Sequence, residues 1–189
     1  MGQNARQAEG VGKVLAVPST LVPPTTRSDN HPEVCKVPLT SSDINDILAA
    51  HNKYRTAVGV ALLTWSDVLA AGAQSWADHL AAEHTFAHSG LPGENLAAYT
   101  TGFKTPAQLV DQWGAEEANF IPPCVFQALT AGDPCSTTGD WRNIGHYTQL
   151  VWSGTTEVGC GLAQDLTTGN DILVARYAPP GNIIGQSVY

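Results

Sequence analysis

The apolar spacing of this 189-residue chain changes character part-way along it. Up to about residue 120, apolar residues recur at helical intervals. Beyond it they sit in short runs rich in β-formers. Thr40-Ser41-Ser42 precede Ile44, Ile47, Leu48, His51 and Tyr54. That spacing predicts an amphipathic helix that begins at a Ser cap and ends at Gly59. Ser66 is expected to cap a second helix reaching about Glu83, with Val68, Leu69, Ala73, Trp76, Ala77 and Leu80 on its apolar face. Thr105-Pro106-Ala107-Gln108 opens a third: Thr as N-cap, Pro at the first helical position and Gln at the third make a capping box. Leu109, Val110 and Trp113 give it an apolar face. Ile121-Pro122-Pro123 stops it, and a loop is expected to about Asn143. Strands are expected over 147–152, 157–163 and 172–177, with Thr167-Thr168-Gly169-Asn170 as the turn between the last two. Helices first and strands last predict an α+β domain, with helices packed on a small antiparallel sheet.

Residues 37–189 suffice to bury roughly 70% of the surface their unfolded chain exposes. Residues 1–36 look different. Pro18, Pro23, Pro24 and Pro32, with Ser, Thr, Asn and Gly between them, predict an extended, disordered, solvated N-terminal tail. Met1 to Leu15 holds no apolar stretch long enough for a signal-peptide core. This leaves two readings, a form with its leader removed or an intracellular protein. Hydrophobic residues at 43% and charged residues at 14% exclude a disordered chain. No apolar run approaches 18 residues, so no transmembrane helix is expected. The net charge of −8 argues against a nucleic-acid partner, and the acidity lies entirely behind the tail.

Four cysteines, Cys35, Cys124, Cys135 and Cys160, permit two disulfides in three connectivities. No C-x-x-C pair occurs, so they do not read as a zinc site. Cys124 and Cys135 flank an irregular stretch where a local bridge would contribute about 2–3 kcal/mol. The alternative is four reduced, buried thiols. Disulfides, and with them an oxidising compartment, are the expectation.

Several short segments carry chemistry: His84 to Ser89, Gly93-Glu94-Asn95-Leu96, Trp113 to Glu117, Gly145 to Trp152, and Tyr177 to Gly185. With His51-Asn52 and Arg55, they stand in the order of the CAP superfamily, which the chain resembles over about residues 41–185. CAP names cysteine-rich secretory proteins, antigen 5 and plant pathogenesis-related group 1 proteins. Thr64-Trp65-Ser66 and Glu157 to Gly161 are similar to fungal secreted members. The resemblance implies an α-β-α sandwich, a three-stranded antiparallel sheet between helical layers, and a secreted, extracellular protein. It implies a cleft lined by His88, Glu94, Glu116 and His146. Glu116 is chosen over Glu117 because the family's Glu follows its Trp by three places. Family members often carry Cys at the places of His84 and Ala175. Allowing for those departures, the pairing Cys124–Cys135 and Cys35–Cys160 is expected.

Two imidazoles and two carboxylates in one cleft suit a loosely bound divalent metal, zinc or similar. Glu–His pairs that merely tie helices to the sheet are the structural alternative. His84-x-x-x-His88 is not a zinc-protease motif, since Thr85 stands where Glu is required. His84 is read as a surface residue, His51 as a packing residue, Arg55 as an ion-pair partner, and Gly181 and Asn182 as a turn. No Ser or Cys is paired by motif with a base, and no catalytic residue is assigned. The resemblance implies binding of sterols or fatty acids, through a loop here holding Phe120, Phe126 and Trp141. Two alternatives are a secreted effector or defence protein that meets a host or cell-surface protein, and a metal-dependent hydrolase using the His/Glu tetrad.

Overall fold

Capping fixes where the helices begin. In this computed structural model, residues 35, 36 and 38–189 are described, all within one compact unit of residues 31–189. Of the tail expected over residues 1–36, residues 1–34 lie outside the described residues. Helix α1 (Ser41–Val58) is capped by Thr40, not by a Ser. The Thr40 side chain accepts from the Asp43 N–H, and the Asp43 carboxylate accepts from the Thr40 N–H at 2.9 Å. A carboxylate at the third position makes Thr40 the better cap. Gly59 closes the helix in the left-handed region, φ 74°. α2 (Asp67–Ala82) starts after Ser66 and α3 (Pro106–Gly114) at the Thr105/Gln108 capping box.

The sheet is larger than three strands. β3 (Glu94–Thr100), β5 (Asn170–Ala178) and β4 (Glu157–Asp165) form its antiparallel centre. Two short strands share the outer edge of β4: β1 (Cys35–Lys36), antiparallel at one end, and β2 (Thr64–Trp65), parallel at the other. Between them the Gln74 amide donates to Leu162 O and accepts from Leu162 N–H, so little of that edge is left unpaired. Cys35 and Lys36 therefore belong to the sheet and not to a tail.

Alternation along β5 sorts the two faces. Ile172 and Val174 pack with Leu96 and Ala163 beneath Ala73, Ala77 and Leu80 of α2. Leu173, Ala175 and Tyr177 face a larger core with Ile47, Leu109, Val110 and Trp113 from α1 and α3. The α-β-α layering is thus two cores on one sheet. α2 lies directly on the β4 backbone: a Cβ at Gly159 would stand 2.2 Å from Ala70 N, and one at Gly161 2.2 Å from Gln74 Cα. Val68, expected on the buried face of α2, is 83% exposed.

Two segments differ from the sequence reading. Residues 94–100 form a strand that composition did not predict. Residues 147–152, expected as a strand, belong mostly to helix α4 (Gly145–Leu150). A short 3₁₀ turn, Trp141–Asn143, leads into it, and another, Ala115–Asn119, follows α3.

Candidate functional site

Both cleft carboxylates are fixed by the backbone and imidazole around them. Glu94, the first residue of β3, has a side chain only 1% exposed. It accepts from His88 Nδ1 at 3.0 Å, Ser89 N–H at 2.9 Å and Ser89 Oγ at 2.7 Å. Burial alone would push its carboxyl up, but the bonds from His88 and Ser89 outweigh that and hold it below its ordinary value. Arg176, directly across on β5, adds a guanidinium 3.6 Å from its other oxygen.

Glu116 sits in the 3₁₀ turn after α3. It accepts from His146 N–H at 2.9 Å, Tyr147 N–H at 3.2 Å and His146 Nδ1 at 2.6 Å. It thus caps the start of α4. Arg55, buried in α1, holds the other end, donating to Leu150 O at 3.0 Å, Trp152 O at 2.9 Å, Thr155 O at 2.8 Å and Ala61 O at 2.6 Å. An anion at the N-terminus and a cation at the C-terminus both favour the helix dipole. This is why a β-rich sequence winds into a helix here. The expected ion pair of Arg55 is replaced by four carbonyls, because α1 meets open backbone ends at that depth and no carboxylate. Burial lowers its guanidinium to about 10, still a cation at neutral pH.

His51 is a packing residue, as expected. Its Nδ1 faces Ile47 O at 2.8 Å, so Nδ1 carries the proton and Nε2 accepts from Tyr177 Oη at 2.9 Å. Asn95 donates to the same Tyr177 oxygen at 3.3 Å and to His146 O at 3.1 Å. Complete burial depresses the His51 imidazole to about 4.

His88, Glu94 and His146 line one cavity of about 500 Å³. That volume lies in the range of small-molecule sites. Phe126 and Trp141 line it too, ring to ring at 6.0 Å and edge-on. Trp141 lies over Gly145, where a Cβ would stand 2.8 Å from the indole. Phe120 is not part of this wall. It is buried against Tyr147 and Tyr189. Sequence reasoning gave no site role to Leu91, Arg142, Gln149 or Ile184, which also line the cavity, whereas Glu116 is not among the lining residues. Exposed aliphatics in Gly- and Pro-rich loops, Leu91 and Ile184, were the available signal. Asn182, read as a turn, does turn (φ 55°) and also joins the wall. It donates to Gly145 O and accepts from Thr148 Oγ1.

Cys124 and Cys135 are joined, Cα to Cα 5.4 Å, and tie the loop that carries Phe126. The Cys35–Cys160 pairing is not formed. Cys160 is a buried free thiol. The β1 register sets Cys35 opposite Gln164, four residues along β4. At roughly 3.3 Å per residue that is beyond disulfide reach. The Cys35 side chain lies outside the described residues.

The sequence profile described as "Cysteine-rich secretory protein family" matches residues 48–177. The chain belongs to this CAP family. It is 40% identical over 145 residues to pathogenesis-related protein 1C of Nicotiana tabacum, covering 76% of this chain and 79% of that one. It is 39% identical over 125 residues to protein PRY2 of Saccharomyces cerevisiae, covering 66% of this chain and 33% of that longer protein. The solved structure of NaASP2 with Zn2+ matches at a TM-score of 0.64 and 21% identity, covering 85% of this chain and 88% of that one. That last likeness is one of fold alone.

In this CAP domain the four cleft residues form two His–Glu pairs. Among the described residues no three His, Cys, Asp or Glu side chains converge as metal ligands. Both carboxylates are spent on N–H and O–H donors, so the nitrogens left for a metal are Nε2 of His88 and Nε2 of His146. The donor set fits an open, two-imidazole site and not a closed four-ligand cage. His84, at a place where family members often carry Cys, lies at the surface and ties α2 to the β4–β5 turn. Its Nδ1 meets Asp165 at 2.9 Å and its Nε2 meets Thr167 Oγ1 at 3.2 Å.

Proposed function

We propose that this CAP domain is a secreted binding protein that takes a small amphiphile, a sterol or a fatty acid, into the cavity and has no catalytic step of its own. One observation carries the reading. The cavity is lined both by apolar side chains, Phe126, Trp141, Leu91 and Ile184, and by polar ones, His88, His146 and Gln149. An amphiphile matches both. A hydrolytic role is disfavoured because each carboxylate already accepts three hydrogen bonds and, among the described residues, no Ser or Cys nucleophile lines the cavity. The Cys124–Cys135 bond supports an oxidising, extracellular setting.

The test is saturable binding of radiolabelled cholesterol and palmitate to purified protein, with Trp141→Ala in parallel. Uptake by the wild type, weakened about tenfold in the variant, is expected from losing a large aromatic contact. No uptake of either lipid overturns the reading.

A second reading concerns a divalent metal. Two imidazoles, each backed by a carboxylate on Nδ1, line the same cavity, and this is the arrangement that orients metal-binding histidines. His88 and His146 would hold the ion, which would polarise a bound oxygen. Calorimetry with zinc on wild type and on His88→Ala, His146→Ala tests it; equal affinity in both overturns it.

A further inference from the structure

The hydrogen bonds of the cavity wall are almost all spent inside the protein. Asn95 donates to His146 O and Tyr177 Oη. Asn182 both donates and accepts. Gln149 donates to Thr155 Oγ1 at 3.3 Å and accepts from Gly181 N–H at 2.8 Å. Glu94 accepts from three donors. Among the described lining side chains, Nε2 of His88, Nε2 of His146 and the Trp141 indole N–H keep open valences, beside an Arg142 guanidinium held only loosely, 3.5 Å from Asp140.

The polarity of the two imidazole nitrogens follows from their partners. A carboxylate oxygen can only accept, so Nδ1 of each imidazole carries the proton it donates to Glu94 or Glu116. In the neutral ring Nε2 is then a bare lone pair. The wall offers two acceptors beside two donors. A carboxylate head group could use the donors but would set its own lone pairs against both Nε2 atoms. A hydroxyl donates once and accepts twice, and serves both kinds at once.

We propose that the cavity selects an amphiphile with a free hydroxyl head, whose proton is given to a histidine Nε2, over the corresponding carboxylate or ether. This rests on the amphiphile reading above and narrows it to alcohols. His88 and His146 are then the specificity-determining residues, Glu94 and Glu116 the positioning residues that fix their tautomer, and Arg142 and Trp141 the donors to the same oxygen.

The experiment compares cholesterol with cholesteryl methyl ether, and hexadecanol with palmitate, at about pH 8, above the ordinary imidazole range. Each pair is measured by competition against a fluorescent sterol, with and without EDTA. The expected result is about tenfold tighter binding of each alcohol, the worth of one or two hydrogen bonds, unchanged by EDTA. In His88→Phe, at a side chain 58% exposed and with Glu94 keeping its two Ser89 donors, the preference should fall to about threefold or less. Equal binding within each pair overturns the inference and leaves the amphiphile reading standing. Binding of none of the four overturns both. Alcohol binding abolished by EDTA overturns it in favour of a metal-held head group. A preference undiminished in His88→Phe overturns the role given to His88.

Discussion

Replacing Arg55 by Met removes a fully buried cation whose four acceptors are backbone carbonyls from three segments. Met refills the volume of the aliphatic stem but donates nothing. The carbonyls of Leu150, Trp152 and Thr155 lose their buried donor, and each such loss costs about 1–3 kcal/mol when unrelieved. Relief from burying the guanidinium offsets part of this. The net loss should be about 3–5 kcal/mol, the range found when one side of a buried charged network is removed. A domain of this size has about 5–15 kcal/mol in total. Urea unfolding followed by tryptophan fluorescence should show a midpoint lowered by about 2 M, given a slope near 2 kcal/mol/M. Arg55→Lys should recover less than half, since one ammonium cannot span four acceptors. A loss below about 1 kcal/mol in Arg55→Met would refute the claim that this side chain closes α4.

Acid sensitivity should follow His51. Its folded value near 4 lies below the ordinary imidazole value, so the unfolded chain takes a proton that the folded chain refuses. Stability is full above about pH 6.5 and falls as pH drops toward 4, by on the order of 3 kcal/mol. The urea midpoint against pH measures this, and His51→Gln should flatten the curve. The depressed Glu94 and Asp165 carboxyls add a further loss below the ordinary carboxylate range, as pH falls through their folded values. Gly159→Ala should destabilise by about 3 kcal/mol, the upper end of the overpacking range, in the same assay, because its Cβ meets the α2 backbone and no side chain can move aside. Reduction with dithiothreitol should cost about 3 kcal/mol through the Cys124–Cys135 loop, while Cys160, whose thiol burial pushes upward, should label only after unfolding.

What could be read from sequence was what local chemistry decides. The Thr105-Pro106-Gln108 cap, the Gly59 stop and the β4–β5 turn are each complete within a few residues. The errors lie where distant residues decide. Glu94-Asn95-Leu96-Ala97-Ala98 is poor in β-formers, yet β3 pairs over seven residues with β5, whose partner residues are 70 to 82 positions away. Tyr147-Thr148-Gln149-Leu150 reads as a strand, yet Glu116 and Arg55 hold its two ends in a helix. The His–Glu pairs were visible as motifs, but not their hydrogen bonds, which spend both carboxylates and leave only Nε2 free. Of the loop aromatics, Phe126 and Trp141 reach the cavity, while Phe120 serves the core. Their sequence context does not distinguish them, since the difference is set by distant partners: Tyr147 and Tyr189 for Phe120, and for Phe126 and Trp141 each other.

The central claim is that one cavity, between the Phe126/Trp141 loop and the two imidazoles, is the ligand site. A crystal structure of the protein saturated with cholesterol tests it most directly. Ligand density should lie against the Trp141 and Phe126 rings with the sterol hydroxyl at His88 or His146 Nε2. Density elsewhere, between α1 and α3 or on the outer face of α2, with this cavity holding only water, would contradict it.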